Sequence, residues 1–142
     1  MKRDSSRPAA NGDSPQSAER ASLEALVEAV IGAAYEVSNV LGAGFLEKVY
    51  ERALMEEIRL RGLQAAAQTP FPVAYKGKPV GMYSADLVVD GRLLVEVKCV
   101  EQFSNEHLAQ CINYLKPWGL HLALLINFRR PRVEWKRVVH KL

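Results

Sequence analysis

Cysteine is scarce in this chain: Cys99 and Cys111 are the only two. They form no CxxC pair and no zinc-ligand spacing, so a disulfide scaffold or a zinc ribbon is not expected. A reducing compartment, the cytoplasm, is the simplest setting. No run approaches the ~20 apolar residues that a membrane span needs. Lys2 and Arg3 are not followed by an apolar segment, which argues against a secretory signal. Internal repeats are absent. No single sign of charge dominates, since the net charge is only +3. That value is compatible with nucleic acid without establishing it.

What is present is ordinary for a globular domain. The chain has 142 residues, 49% hydrophobic and 25% charged, enough for one domain with its own core. Residues 1–20 are rich in Ser, Pro, Ala, Asn, Gly and Asp, with almost nothing to bury, and are expected to be a disordered tail. Residues 21–142 are expected to form one domain. Basic residues gather late: Lys116, Arg129, Arg130, Arg132, Lys136, Arg137 and Lys141 stand against the single acid Glu134. The plainer account of that cluster is a solvated basic end.

Helical spacing of Leu23, Leu26, Val27, Val30, Ile31, Ala34 and Tyr35 predicts a helix over about Ser22–Val40. Gly42 and Gly44 stop it. A second helix is expected over about Leu46–Arg61 and a third over about Asn105–Pro117, capped by Ser104. Gln64–Tyr75 carries Pro70 and Pro72, so its strand should be an edge strand or irregular. Strands are expected at Val80–Val89, Arg92–Val100, Leu120–Phe128 and Arg132–Val139. The strand–helix–strand run from Glu96 to Phe128 predicts a parallel crossover in a mixed sheet. The fold class is α/β, a mixed β-sheet flanked by helices on both faces.

The segment Asp86–Lys98 concentrates the chemistry. Two apolar strands meet at Asp90-Gly91, a hairpin signal. Asp86, Glu96 and Lys98 interrupt them, and charges on buried strands are costly unless they are paired or bind a metal. Two carboxylates and a lysine facing one another would suit a divalent cation and a phosphate. The bland alternative is a pair of structural salt bridges. Glu96 and Lys98 share a sheet face because they are two apart. A two-residue loop at Asp90-Gly91 would pair Val89 with Arg92 and put Asp86 on the opposite face. A three-residue loop Val89–Gly91, with Gly91 left-handed, would bring Asp86 to the same face, diagonal to Glu96. The metal reading therefore demands an odd loop or a bulge.

Other residues carry weaker signals. Glu47 and Tyr50 are neighbours on one helix face, although an acid in a first turn also favours the helix dipole. Gln110 and Tyr114 lie at i and i+4 with His107 on the same stripe, either a solvated face or a polar edge near the carboxylates. Asn127 ends a buried strand as a turn or site residue. Trp118 and Trp135 read as packing residues.

Taken together, these residues resemble the GxxExxY proteins, a branch of the PD-(D/E)xK nuclease superfamily. The resemblance runs through Gly44-Phe45-Leu46-Glu47-Lys48-Val49-Tyr50, Ser84-Ala85-Asp86-Leu87, Val95-Glu96-Val97-Lys98, Gln110 with Tyr114, and Leu124–Phe128. Ala123 and Ser38 depart from the residues common in that branch, Gly and His, and neither belongs to the charged set. The resemblance implies a restriction-endonuclease-like core and metal-dependent hydrolysis of phosphodiester bonds. In it Asp86, Glu96, Lys98 and Glu47 are catalytic. Asp86, Glu96, the Val97 carbonyl and Glu47 would hold Mg²⁺, or Mn²⁺ in its place. Gln110, Tyr114 and Tyr50 would line the nucleic-acid cleft. The implied partner is nucleic acid, taken as DNA, with no membrane and with a homodimer among the allowed assemblies. A silent binding or regulatory module with the same fold is the alternative.

Overall fold

The computed structural model describes residues 15–140. The expected tail falls outside the described residues as far as residue 14. From Pro15 onward the chain is already helical. Helix α1 spans Pro15–Leu41, starting earlier than its apolar stripe, with a proline in the first turn where its missing N–H costs nothing. Its buried stripe is Leu26, Val27, Val30, Ala33, Ala34 and Val37. Tyr35 belongs to the predicted stripe, yet it is exposed. Helix α2 spans Glu47–Leu60 and buries Tyr50, Leu54 and Ile58 beside α1.

Five strands follow: β1 (Ala65–Tyr75), β2 (Lys78–Val89), β3 (Leu93–Lys98), β4 (Leu122–Asn127) and β5 (Glu134–Val139). They form one sheet in sequence order, with β1 and β5 at the edges. Edge placement of β1 accommodates Pro70 and Pro72, which cannot donate to a ladder. Helix α3 (Asn105–Trp118) carries the crossover between β3 and β4, the one parallel pair among the described residues. Ser104 caps α3 as expected. His107 closes the capping box by accepting the Ser104 N–H on Nδ1, which gives that histidine a structural role.

The period of two divides the sheet into two cores. Leu93, Val95, Val97, Leu122, Leu124 and Ile126 face α1 and α2. Leu94, Ala123 and Leu125 face Cys111, Tyr114 and Leu115 of α3. Strand β4 lies inside the sheet between β3 and β5 and is buried throughout, hence the unbroken apolar run Leu122–Ile126. Among the described residues no helix is long and apolar enough to cross a membrane.

Candidate active site

The hairpin between β2 and β3 sets the site. Val89 pairs with Leu93, Val88 with Leu94 and Leu87 with Val95. The loop is therefore Asp90-Gly91-Arg92. It is odd in length, as a shared face requires, but lies one residue later than the loop Val89–Gly91. Asp90 (φ 51°) and Gly91 (φ 66°) are both left-handed, and Arg92 N–H donates to Val89 O at 3.0 Å. Gln64 holds the turn in place: Asp90 N–H donates to its carbonyl, and its own N–H donates to Asp90 Oδ1. Continuing this register puts Asp86 directly opposite Glu96, not diagonal to it.

At that step the regular ladder stops. Asp86 N–H donates to Glu96 Oε2 and Val97 N–H donates to Asp86 Oδ2, both at 2.9 Å. The two carboxylates replace the missing rungs, and β2 leaves β3. On its other side β2 pairs β1 at Leu87–Ala67 and at Ala85–Thr69, with Gln68 unpaired between them at φ 52°. Both strands change face there: Ala65, Leu87 and Val89 join the α1/α2 core, while Phe71 and Ala85 join the α3 core. The sheet is thus kinked at Asp86, where β2 parts from β3.

The site is electrostatically costly as it stands. Glu96 is 4% exposed, and among the described residues no side chain donates to its carboxylate. Burial first, then the charge of Asp86, pushes Glu96 up to about 8. Burial likewise raises Asp86, against the lowering effect of the Val97 amide. Buried like charges of this kind call for a proton or a cation. Lys98 is half-buried, and no carboxylate lies within ion-pair distance of it among the described residues. The salt-bridge alternative therefore lacks its bridges.

Helix α2 contributes two acids. Glu47 is exposed at the end of β3, its Oε2 accepting the Cys99 N–H at 3.1 Å. Glu51, one turn on, is only 6% exposed. It accepts from Gln68 Nε2 at 2.8 Å and pairs with the half-exposed Lys48 at 3.3 Å. Its charge raises both Asp86 and Glu96, whereas that of Glu47 acts on Asp86 alone of the two. Sequence reasoning missed Glu51. Its signal was its spacing of four from Glu47, on the same helix face. Gln68 was missed as well, and no residue pattern announces its left-handed backbone.

Tyr50 requires correction as a cleft residue. It is 1% exposed and its ring stacks on Phe128, with centroids 4.7 Å apart. Its hydroxyl donates to Gly42 O and accepts the Phe45 N–H, fastening the loop between α1 and α2. Asn127 is also a fastener: its amide donates to Val100 O at 2.7 Å, and its Oδ1 accepts the Val100 and Arg129 N–H groups. It therefore fixes the chain just past Lys98. Gln110 is exposed on α3, and Tyr114 is nearly buried, packed on Phe71. Burial, then the charges of Glu96 and Asp86, push the Tyr114 phenol up to about 12.

A family model described as the PD-(D/E)XK nuclease superfamily matches residues 24–138. The chain belongs to that superfamily. The solved crystal structure of SSO0001 is similar at 16% identity with a TM-score of 0.52, over 67% of this chain and 50% of that one. The chain thus spans about half the length of SSO0001, and the likeness concerns the fold. No curated protein gives a significant match. The mixed sheet with helices on both faces is the restriction-endonuclease-like α/β fold of this superfamily.

Among the described residues, no three His, Cys, Asp or Glu side chains converge as a ready cation cage. Mg²⁺ does not require one, because it binds through one or two carboxylates and keeps waters or substrate phosphate in its remaining positions. The half-buried Asp86 and the buried Glu96, with no cationic side chain within ion-pair distance among the described residues, fit that donor set. The late basic cluster is partly spent on ion pairs: Arg137 grips Glu24 with two 2.7 Å bonds, Arg129 meets Glu101, and Arg130 meets Glu134. Such exposed pairs are weak and leave the face open to exchange with phosphate.

Proposed function

We propose that this protein is a metal-dependent nuclease of the GxxExxY branch that hydrolyses phosphodiester bonds of DNA, with Mg²⁺ as its cation and Mn²⁺ able to replace it. The observation that carries the reading is the facing pair Asp86–Glu96, without an ion-pair partner among the described residues, with Lys98 on the strand of Glu96. Asp86, Glu96 and the Val97 carbonyl would hold the cation, all hard oxygen donors. Glu47 would act from the outer shell at the open end of β3. When bound, the cation supplies Lewis-acid charge to a water and to the phosphate.

The protein's own groups divide the remaining work. In hydrolysis the water oxygen forms a bond to phosphorus, one P–O ester bond breaks, and the leaving oxygen takes up a proton. Lys98 would orient the attacking water or stabilise charge building on the phosphate oxygens. Gln110, Tyr114 and the late basic residues would hold the backbone. The reading further places the protein in the cytoplasm and leaves a homodimer open.

The test is a cleavage assay with purified protein and Mg²⁺ or Mn²⁺ on linear and circular, single- and double-stranded DNA, and on RNA. Metal-stimulated cleavage of DNA supports the reading, and cleavage of RNA alone would correct the substrate. Binding without turnover on every substrate would leave a silent binding module.

A further inference from the structure

The hairpin β1–β2 is much longer than the strand it pairs with. Strand β2 meets β3 only at Leu87–Val89, so Lys78–Ala85 and its partner Thr69–Tyr75 project as a two-stranded arm. The base of this arm is Asp86. From Ala65 to Ala85 it contains no Asp or Glu, and its turn carries Lys76 and Lys78. Between the arm and α3 lies a groove of about 630 Å³, bounded by Phe71 and Tyr83 on one side and Gln110, Asn113, Tyr114 and Lys116 on the other.

The lining has a specific chemistry. Tyr83 is 50% exposed. It leans on Phe71 and Tyr114, with ring centroids about 6 Å away in each case. Gly81 lies two residues from Tyr83 on the same face of β2, opposite the groove residue Val73, and a Cβ built there would meet nothing within 4 Å, so the surface beside the tyrosine is open. Tyr114 joins the groove to the carboxylates: it packs in one cluster with Ala85, next to Asp86 in β2, and Leu94, two residues before Glu96 on the same face of β3. An aromatic face, a lysine and an acid-free wall, next to the carboxylates proposed to cleave phosphodiesters, define an occupant with flat bases and anionic links.

We propose that this groove holds an unpaired nucleotide of a single-stranded nucleic acid, its base laid on Tyr83 and its strand running past Tyr114 to Asp86 and Glu96. The proposal rests on the nuclease reading for the direction of the strand. Bases in a duplex stack on one another and offer no free face to a tyrosine, whereas an unpaired base does. The volume is that of a small-molecule pocket, fit for a nucleotide. Lys116 and the arm lysines complement the phosphates.

The experiment is binding of fluorescent oligothymidylate, oligouridylate and a duplex by anisotropy, in EDTA so that turnover plays no part. Wild type should bind single strands more tightly than duplex, and the two oligomers decide between DNA and RNA. Tyr83→Ala should weaken single-strand binding about 5- to 100-fold, while Tyr83→Phe retains it. Gly81→Leu should also weaken it, by crowding the open face beside Tyr83 without removing any contact. Unchanged affinity in both Tyr83→Ala and Gly81→Leu would overturn the proposal. So would a sedimentation result in which these variants abolish a dimer while leaving oligonucleotide binding intact, since a second copy would then be the occupant. Single-strand binding that depends on Tyr83 in a protein that never cleaves would sink the nuclease reading alone. Cleavage with Tyr83-independent binding would sink this proposal alone.

Discussion

Asp86 and Glu96 face each other across the end of the β2–β3 ladder, and the carboxylate of each accepts a backbone N–H from the other's strand. The same two groups that would hold a cation therefore also tie the strands together where the sheet kinks. Their burial sets a first prediction. The folded protein holds Glu96 near 8, far above the ordinary carboxylate value of 4.5. Between those values the folded state binds more protons than the unfolded one, so stability falls as pH rises through the window. Glu96→Gln removes the ionisation and keeps an acceptor for Asp86 N–H. In EDTA, its melting temperature should exceed that of wild type by an amount that grows from pH 5 to pH 8 and then levels off. The full effect is on the order of a few kcal/mol. An advantage that shrinks with pH would mean that Glu96 is ionised in the fold.

Glu51 and Glu47 can be told apart by the same titration. Glu51 raises Glu96 by its charge, and Glu47 does not figure among the causes. Glu51→Gln should lower the Glu96 midpoint, followed by carboxyl NMR shifts, whereas Glu47→Gln should leave it in place. Equal responses would remove Glu51 from the site.

Tyr50→Phe tests the structural assignment of that tyrosine. The hydroxyl serves a carbonyl and an amide of the Gly42–Phe45 loop from a buried position. Its loss should cost about 1–3 kcal/mol in denaturant unfolding. Oligonucleotide affinity should be unchanged, and a selective loss of affinity at full stability would restore Tyr50 to the cleft.

The legible part of this structure is the part written in periodicity and punctuation. Gly42, Gly62 and Ser104 sit at helix ends, the alternation in β3 sorts Glu96 from Val97, and Leu122–Asn127 reads as buried because it is. Register was only half legible. The need for an odd loop follows from placing Asp86 and Glu96 on one face, but the choice of Asp90–Arg92 depends on Gln64, which grips Asp90 from just ahead of β1, distant in sequence. Gln68 was illegible, and Glu51 marked only by its spacing from Glu47, for a related reason: their partnership exists only after α2 packs over the β1–β2 kink. Tyr50 misled because its helix face points to both the cleft and the core, and Phe128 decides between them.

Lys98 carries the last and most discriminating prediction. It shares a strand and a face with Glu96, yet neither Glu96 nor Asp86 is close enough to pair with it. A lysine held near acids without a bridge is free to act on a third group, and the phosphate or its attacking water is the group the reading supplies. Lys98→Ala should therefore lower cleavage about 10²–10³-fold, the usual loss for one charge stabiliser. Divalent-ion binding, measured by calorimetry, should be little changed. Asp86→Ala should lose the cation and the cleavage together. It should bind oligonucleotide at least as tightly in EDTA, because a negative charge near the phosphates is gone. Neither variant needs to unfold the chain: Lys98 is at the strand's end, and removing the Asp86 carboxylate also relieves repulsion on Glu96. Cleavage that survives both substitutions would place the chemistry elsewhere.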